Sequence, residues 1–167
     1  MDNAELLKKL ETIDTAEQAT TSETVEAVPY LVFSADDARY AVESALVREI
    51  LIETPMSFIP FVPPYVRGLI NRHGEPYAVL DIHMFLTQQK LEASTYLILN
   101  LADDQVAFLI TDIVEILRVA PSAFTRISAD DGPSQYLAGS FTMDEGEILV
   151  LRLEGILDRL RDDAGSE

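Results

Sequence analysis

The chain repeats itself, and this constrains its folding more than any other feature. Tyr40-Ala41-Val42, followed by Glu49-Ile50-Leu51, returns 66 residues later as Val106-Ala107-Phe108, followed by Glu115-Ile116-Leu117. A second series returns at an offset of 71. Tyr65-Val66-Arg67-Gly68 matches Tyr136-Leu137-Ala138-Gly139, Val79-Leu80 matches Val150-Leu151, and Leu86 matches Leu157. The identities are few, but they keep a common order. They define two copies of one unit, residues 40–86 and 106–157. A unit of about 50 residues buries too little apolar surface to stand alone. The two copies must therefore pack together, with a groove between them.

The unit is built of β-strands. Tyr30–Phe33 and Tyr40–Val42 are short strand-like runs around the turn Ser34–Asp37. Val66–Asn71 and Tyr77–Ile82 are joined through His73-Gly74-Glu75. Tyr96–Leu101 and Val106–Leu117 flank Asp103-Asp104, and Leu137–Phe141 and Ile148–Leu151 flank Asp144-Glu145-Gly146. Many short strands at close spacing predict small barrels or a sandwich. The clearest helix closes the chain. Leu153, Ile156, Leu157 and Leu160 form one stripe, and Arg159 and Arg161 are expected near its C-terminus, where the helix dipole favours cations.

The two copies differ where their turns differ. The first carries Asn71-Arg72-His73-Gly74, a cationic turn; the second has Thr142-Met143-Asp144-Glu145. Either the turns have drifted in solvent or the two copies present different surfaces. The cationic turn stands out because Lys and Arg number 12 against 29 Asp and Glu, a net charge of −17. That balance argues against nucleic acid, which needs phosphate-neutralising cations, and against anionic membrane surfaces. No apolar run approaches the roughly 18 residues of a membrane span, so direct membrane insertion is not expected. The polar Met1–Glu11 does not resemble a signal peptide. With no Cys there is no disulfide framework and no thiolate chemistry. The expected location is cytoplasmic.

Residues 1–27 form a separate region ahead of a domain at 28–167. They hold seven acids and two lysines. Asp2, with Glu5 three residues on, is placed to cap a short helix, and Leu6, Leu7, Leu10 and Ile13 follow at helical spacing. Thr15 to Ala27 has no periodicity and reads as a flexible linker. The tail is either a docking helix on a tether or a frayed end.

From Tyr30 to Leu157 the chain resembles the CheW-like coupling domains of bacterial chemosensory arrays. Tyr30-Leu31-Val32-Phe33 and Tyr40-Ala41-Val42 are similar to the opening strands, and Val47-Arg48-Glu49-Ile50 to the family's Val-x-Glu-Ile segment. Val66-Arg67-Gly68-Leu69-Ile70-Asn71, then Gly74, resembles the Val-x-Gly-x-x-Asn-Leu-Arg-Gly signature. Ala78-Val79-Leu80-Asp81-Ile82 resembles the strand ending Asp-Leu-Arg, and Ala107–Val119 and Tyr136–Gly139 match later strands. The resemblance implies a mainly β fold of two intertwined, five-stranded SH3-like barrels with a C-terminal helix. It implies a non-enzymatic adaptor without cofactor or metal, bridging a chemoreceptor cytoplasmic tip to the regulatory domain of a CheA-type histidine kinase. It leaves weak self-association open.

The resemblance implies partner-binding positions at Val47, Glu49, Ile50, Asn71, His73 and Gly74. Val47 is expected to be an exposed anchor whose change to Asp abolishes association with little effect on melting; the alternative is that Val47, Ile50 and Leu51 are strand core. Two positions depart from the family. Arg72-His73 replaces Leu-Arg, and Arg72, one residue out of register, is not expected to stand in for the arginine. His83 stands where the family often has Arg. A histidine grips a carboxylate only weakly and mostly when protonated. The chain therefore also reads as a divergent SH3-like interaction module of a pilus-type or other chemosensory system. In a peptide-binding module, the aromatic and proline-rich loop Thr54–Tyr65 would be the contact; alternatively it is a packed connection stiffened by its prolines. A further reading is a metal-dependent hydrolase, if His73, Asp81 and His83 meet across a hairpin.

Overall fold

The computed structural model describes residues 27–128, 132–144 and 146–165. Except for Ala27, the acidic tail lies outside the described residues, as does Glu145 of the last expected turn. Among the described residues, twelve strands form two six-stranded sheets. The first holds β1 (Val28–Ala35), β2 (Ala38–Glu43), β9 (Asp112–Val119), β10 (Thr125–Arg126), β11 (Leu137–Met143) and β12 (Gly146–Leu151), in the order β10-β11-β12-β2-β1-β9. The second holds β3 (Val47–Ile52), β4 (Met56–Ser57), β5 (Val66–Arg72), β6 (Glu75–Asp81), β7 (Thr95–Leu99) and β8 (Val106–Ile110), in the order β3-β7-β8-β6-β5-β4. Two helices follow the two copies of the unit: α1 (Ile82–Thr87) and α2 (Leu153–Gly165).

The repeat is visible in the ladders. Val79 faces Ala107 in the parallel β6–β8 pair, and Val150 faces Ala41 in the parallel β12–β2 pair. Gly68 faces Val79 just after a register shift, and Gly139 faces Val150 just after another. The Asp81 N–H bonds the Tyr65 carbonyl at 2.7 Å, and the Arg152 N–H bonds the Tyr136 carbonyl at 2.7 Å. Yet the copies do not fold side by side. Each sheet combines strands from both, because the chain leaves the first sheet after β2 and returns to it only at β9. Six strands stand in each sheet where five were expected, since the two-residue strands β4 and β10 extend each row.

One expected strand divides. Val106–Leu117 breaks at Thr111 into β8 and β9, which belong to different sheets. The break is held by the first hairpin: the Thr111 N–H donates to the Ser34 carbonyl at 2.8 Å, and the Thr111 hydroxyl accepts from the Asp36 N–H at 2.9 Å. The terminal helix appears as expected, with Ile156 and Leu157 buried. It runs to Gly165, so Arg159 and Arg161 lie a turn inside its end. They pair with carboxylates there, Arg159 with Asp163 and Arg161 with Asp158 and Asp104.

Two apolar clusters result. Leu31 and Phe33 join a large core that also holds Val79, Leu80, Leu97, Phe108 and Ile156; Tyr30 and Val32 join a smaller one with Phe141, Ile148 and Val150. Alternate residues of β1 thus serve opposite faces, which explains why Tyr30–Phe33 reads as a continuous apolar run. Gly68 faces the β4 backbone: a Cβ there would lie 2.4 Å from the Ser57 carbonyl oxygen. That oxygen belongs to a paired strand and cannot step aside. Gly68→Ala is expected to cost about 1–3 kcal/mol, the range for overpacking, read as a lower urea midpoint at unchanged slope.

Candidate functional site

The residues that the sequence marks for partner binding lie on β3 and on the β5–β6 hairpin. Strand β3 ends its row, pairing with β7 on one side. Its burial alternates. Val47, Glu49 and Leu51 are half-buried, and Val47 and Leu51 pack against the large core; Arg48, Ile50 and Ile52 face out. Ile50 is 40% exposed and Ile52 is 69% exposed. Val47 is therefore less exposed than an anchor was expected to be. Val47 lies on the inward face of β3, while the outward apolar side chains are Ile50 and its neighbour Ile52, which sequence reasoning missed. Simple alternation from a buried Val47 would have found it.

Glu49 does not point freely at solvent. The Arg72 guanidinium grips it with two bonds, Nε to Oε1 at 3.0 Å and a second, shorter contact to Oε2. This pair holds the Glu49 carboxyl below its ordinary range, with His73 and Arg48 adding to the effect, and raises Arg72 in turn. Arg72 was not expected to reach an arginine's role from its shifted position, but its side chain engages Glu49 directly. Nearby, Arg48 donates to the Tyr77 hydroxyl at 3.1 Å and to Asn100 Oδ1 at 2.9 Å. Since β5 and β6 stand four and three places from β3 in the row, these contacts mean that the sheet curls back toward its own first strand. The second copy has Met143 where the first has Arg72, so only the first carries this charge pair.

Asn71, His73 and Gly74 make the hairpin turn. Asn71 Oδ1 accepts the Gly74 N–H at 3.0 Å. His73 and Gly74 both have positive φ, 53° and 82°, as a two-residue hairpin turn requires. Asn71 and Gly74 thus shape the turn, and His73 is exposed at its tip. The structure brings Glu49, Arg72 and His73 together, with Ile50 and Ile52 on the opposite face of β3.

His83 departs further from a contact role. It is buried in α1, with the nearest carboxylate oxygen, on Asp36, at 3.9 Å. Asp81 is fully buried and fully used. It accepts from Arg67 at 2.9 Å, from the Leu91 N–H at 2.9 Å, and, as the cap of α1, from the Met84 N–H at 2.9 Å. His73, in the turn before β6, and Asp81, at the far end of this seven-residue strand, stand about 20 Å apart at the rise of a strand. The three residues do not converge, and among the described residues no group of three potential ligands could hold a metal ion.

The loop Thr54–Tyr65 is in part a packed connection. Ile59, Val62 and Tyr65 pack on the core, while Phe58 is 84% exposed and Phe61 is fully exposed. Behind Phe61 opens a groove of about 680 Å³ floored by Pro63, Pro64 and Met84 and reaching Tyr136 of the second copy and Arg159 of α2. Phe85 stands edge-on between Tyr65 and Tyr136, at ring distances of 4.8 and 4.5 Å. Burial raises the Tyr65 hydroxyl's pKa, as does its bond to Asp163.

Two interlocked six-stranded sheets, one ending in a strand with exposed apolar side chains, define a β scaffold. The chain belongs to the CheW-like domain family, which it matches over residues 29–161. It is 24% identical over 139 residues to a probable chemotaxis protein CheW of Rhizobium etli, covering 80% of this chain and 90% of that protein. Its fold is similar to that of the scaffolding protein TtCheW from Thermoanaerobacter tengcongensis, with a TM-score of 0.68, 17% identity, and coverage of 75% of this chain and 89% of the other. No helix among the described residues is long and apolar enough to cross a membrane.

Proposed function

We propose that this chain is a non-enzymatic adaptor of a chemosensory array, working in the cytoplasm to couple chemoreceptors to a CheA-type histidine kinase. In this reading the kinase regulatory domain docks on the outward face of β3. The observation that carries it is the exposure of Ile50 and Ile52 on an end strand of a CheW-like domain. Exposed apolar side chains with Arg48 on the same face offer a dry contact with a polar border, the pattern of interface hot spots.

The test is a binding titration with a kinase regulatory domain. Truncating a hot-spot side chain costs about 2 kcal/mol, roughly thirtyfold in affinity. Ile52→Asp, which also places a charge in the contact, is expected to weaken binding by at least about that factor. Its melting temperature should stay near that of the parent, because the side chain is already mostly in water. Parent-like binding by both Ile50→Asp and Ile52→Asp would remove this face from the reading.

A further inference from the structure

The exposed groove behind Phe61 is separate from the β3 face. We propose that the N-terminal segment Asp2–Asp14 docks in this groove, with Leu6, Leu10 and Ile13 against Phe61, Pro64 and Met84. This does not rest on the kinase-docking reading, and the segment lies outside the residues that match the family.

Three observations point to it. First, the Phe61 side of this mixed groove carries apolar side chains in water: Phe61 is fully exposed, Met84 and Phe85 are half-exposed, and Phe58 projects beside them. Large exposed aromatics on one loop mark an interaction site more than a free surface. Second, the charge is unusual for this chain. Arg67, Lys90 and Arg159 line the groove and its continuation, three of only 12 cations; Arg67 is held by buried Asp81, while Arg159 and Lys90 pair with Asp163 and Glu92 at the surface, where an acidic segment can share them. Asp163 is taken up by Tyr65 and Arg159. The segment offers the complement: an apolar stripe at helical spacing with Asp2, Glu5, Glu11 and Asp14 around it. Third, the length fits. Thr15–Glu26 is 12 residues, with a root-mean-square span of about 20 Å as a flexible chain and about 40 Å at full extension. A body of this size has a radius of gyration of about 14 Å. The tether therefore reaches the groove from the start of β1, and docking within one chain profits from the millimolar effective concentration of a short linker.

The chain has no cysteine, so a single exposed Gln89→Cys beside the groove takes one nitroxide label in the full-length protein. The label is expected to broaden the amide signals of Leu6 to Ile13 strongly and to the same extent at every protein concentration. Leu10→Asp removes a sequestered Leu and should lower the docked-to-free ratio about tenfold or more. Phe61→Ser, at a side chain wholly in water, should restore the same signals without changing the rest of the spectrum. Signals of Leu6 to Ile13 that stay sharp, or broadening that neither variant relieves, would overturn the proposal. Broadening that disappears on dilution would overturn it in favour of a second copy as occupant. Because the readout contains no kinase, its failure is distinct from failure of the coupling function.

Discussion

Asp81→Ala should lower stability by about 3–5 kcal/mol, the range for breaking a buried ion pair from one side. The carboxylate is fully buried and serves three partners: Arg67, the Met84 N–H and the Leu91 N–H. Its removal leaves a largely buried guanidinium, Arg67, without its counter-charge. It also strips α1 of its cap, itself worth about 1 kcal/mol, and leaves the Leu91 N–H in the interior without an acceptor. The loss is measured by urea unfolding. Asp81→Asn, which retains one carbonyl oxygen, should lose less than Asp81→Ala. Equal, small losses from both would show that Arg67 and the two amides find other partners. The consequence would reach the groove, because Met84 and Phe85 line it and are positioned by the cap.

Val47→Asp should unfold the protein more readily instead of leaving the body intact. Val47 is half-buried on the inward face of β3 and packs on the large core. The substitution loses apolar burial and drives a carboxylate toward that core, at a combined cost of roughly 3 kcal/mol. For a domain of this size that corresponds to a fall in melting temperature of roughly 10 °C. Thermal unfolding of Val47→Asp beside Ile52→Asp is the decisive comparison. The first should melt early, and the second should melt like the parent. The reverse order would return Val47 to the surface and make it the anchor that the family pattern implies.

These two residues show where sequence reading stops. The pattern Val47-Arg48-Glu49-Ile50 is recognisable, but the pattern does not say which of two alternating faces is covered. That depends on what β3 packs against, and the residues concerned come from distant parts of the chain. His73, Asp81 and His83 are a plausible ligand set by residue type. The seven residues of β6 separate His73 from Asp81, while the capping of α1 consumes Asp81. Arg72 appeared out of register for the family's arginine, yet the curl of the sheet brings its long side chain back to Glu49. Phe58 and Phe61 were noticed only as members of an aromatic loop. Ile59 and Val62, between and beside them, took the inward positions.

By itself, the sequence determined the local order of this protein. Apolar runs of strand length mark most of the longer strands. The Leu153–Leu160 stripe marks the terminal helix. These features are legible because each rests on a run or a period within a few residues of itself. The tertiary structure alone decided that the two copies exchange strands, that Val106–Leu117 divides between sheets at Thr111, and that Ile50 and Ile52, not Val47, face solvent. Each of those outcomes depends on the pairing of segments far apart in the chain. Side-chain alternation permits two faces, and only the finished packing shows which of them meets water.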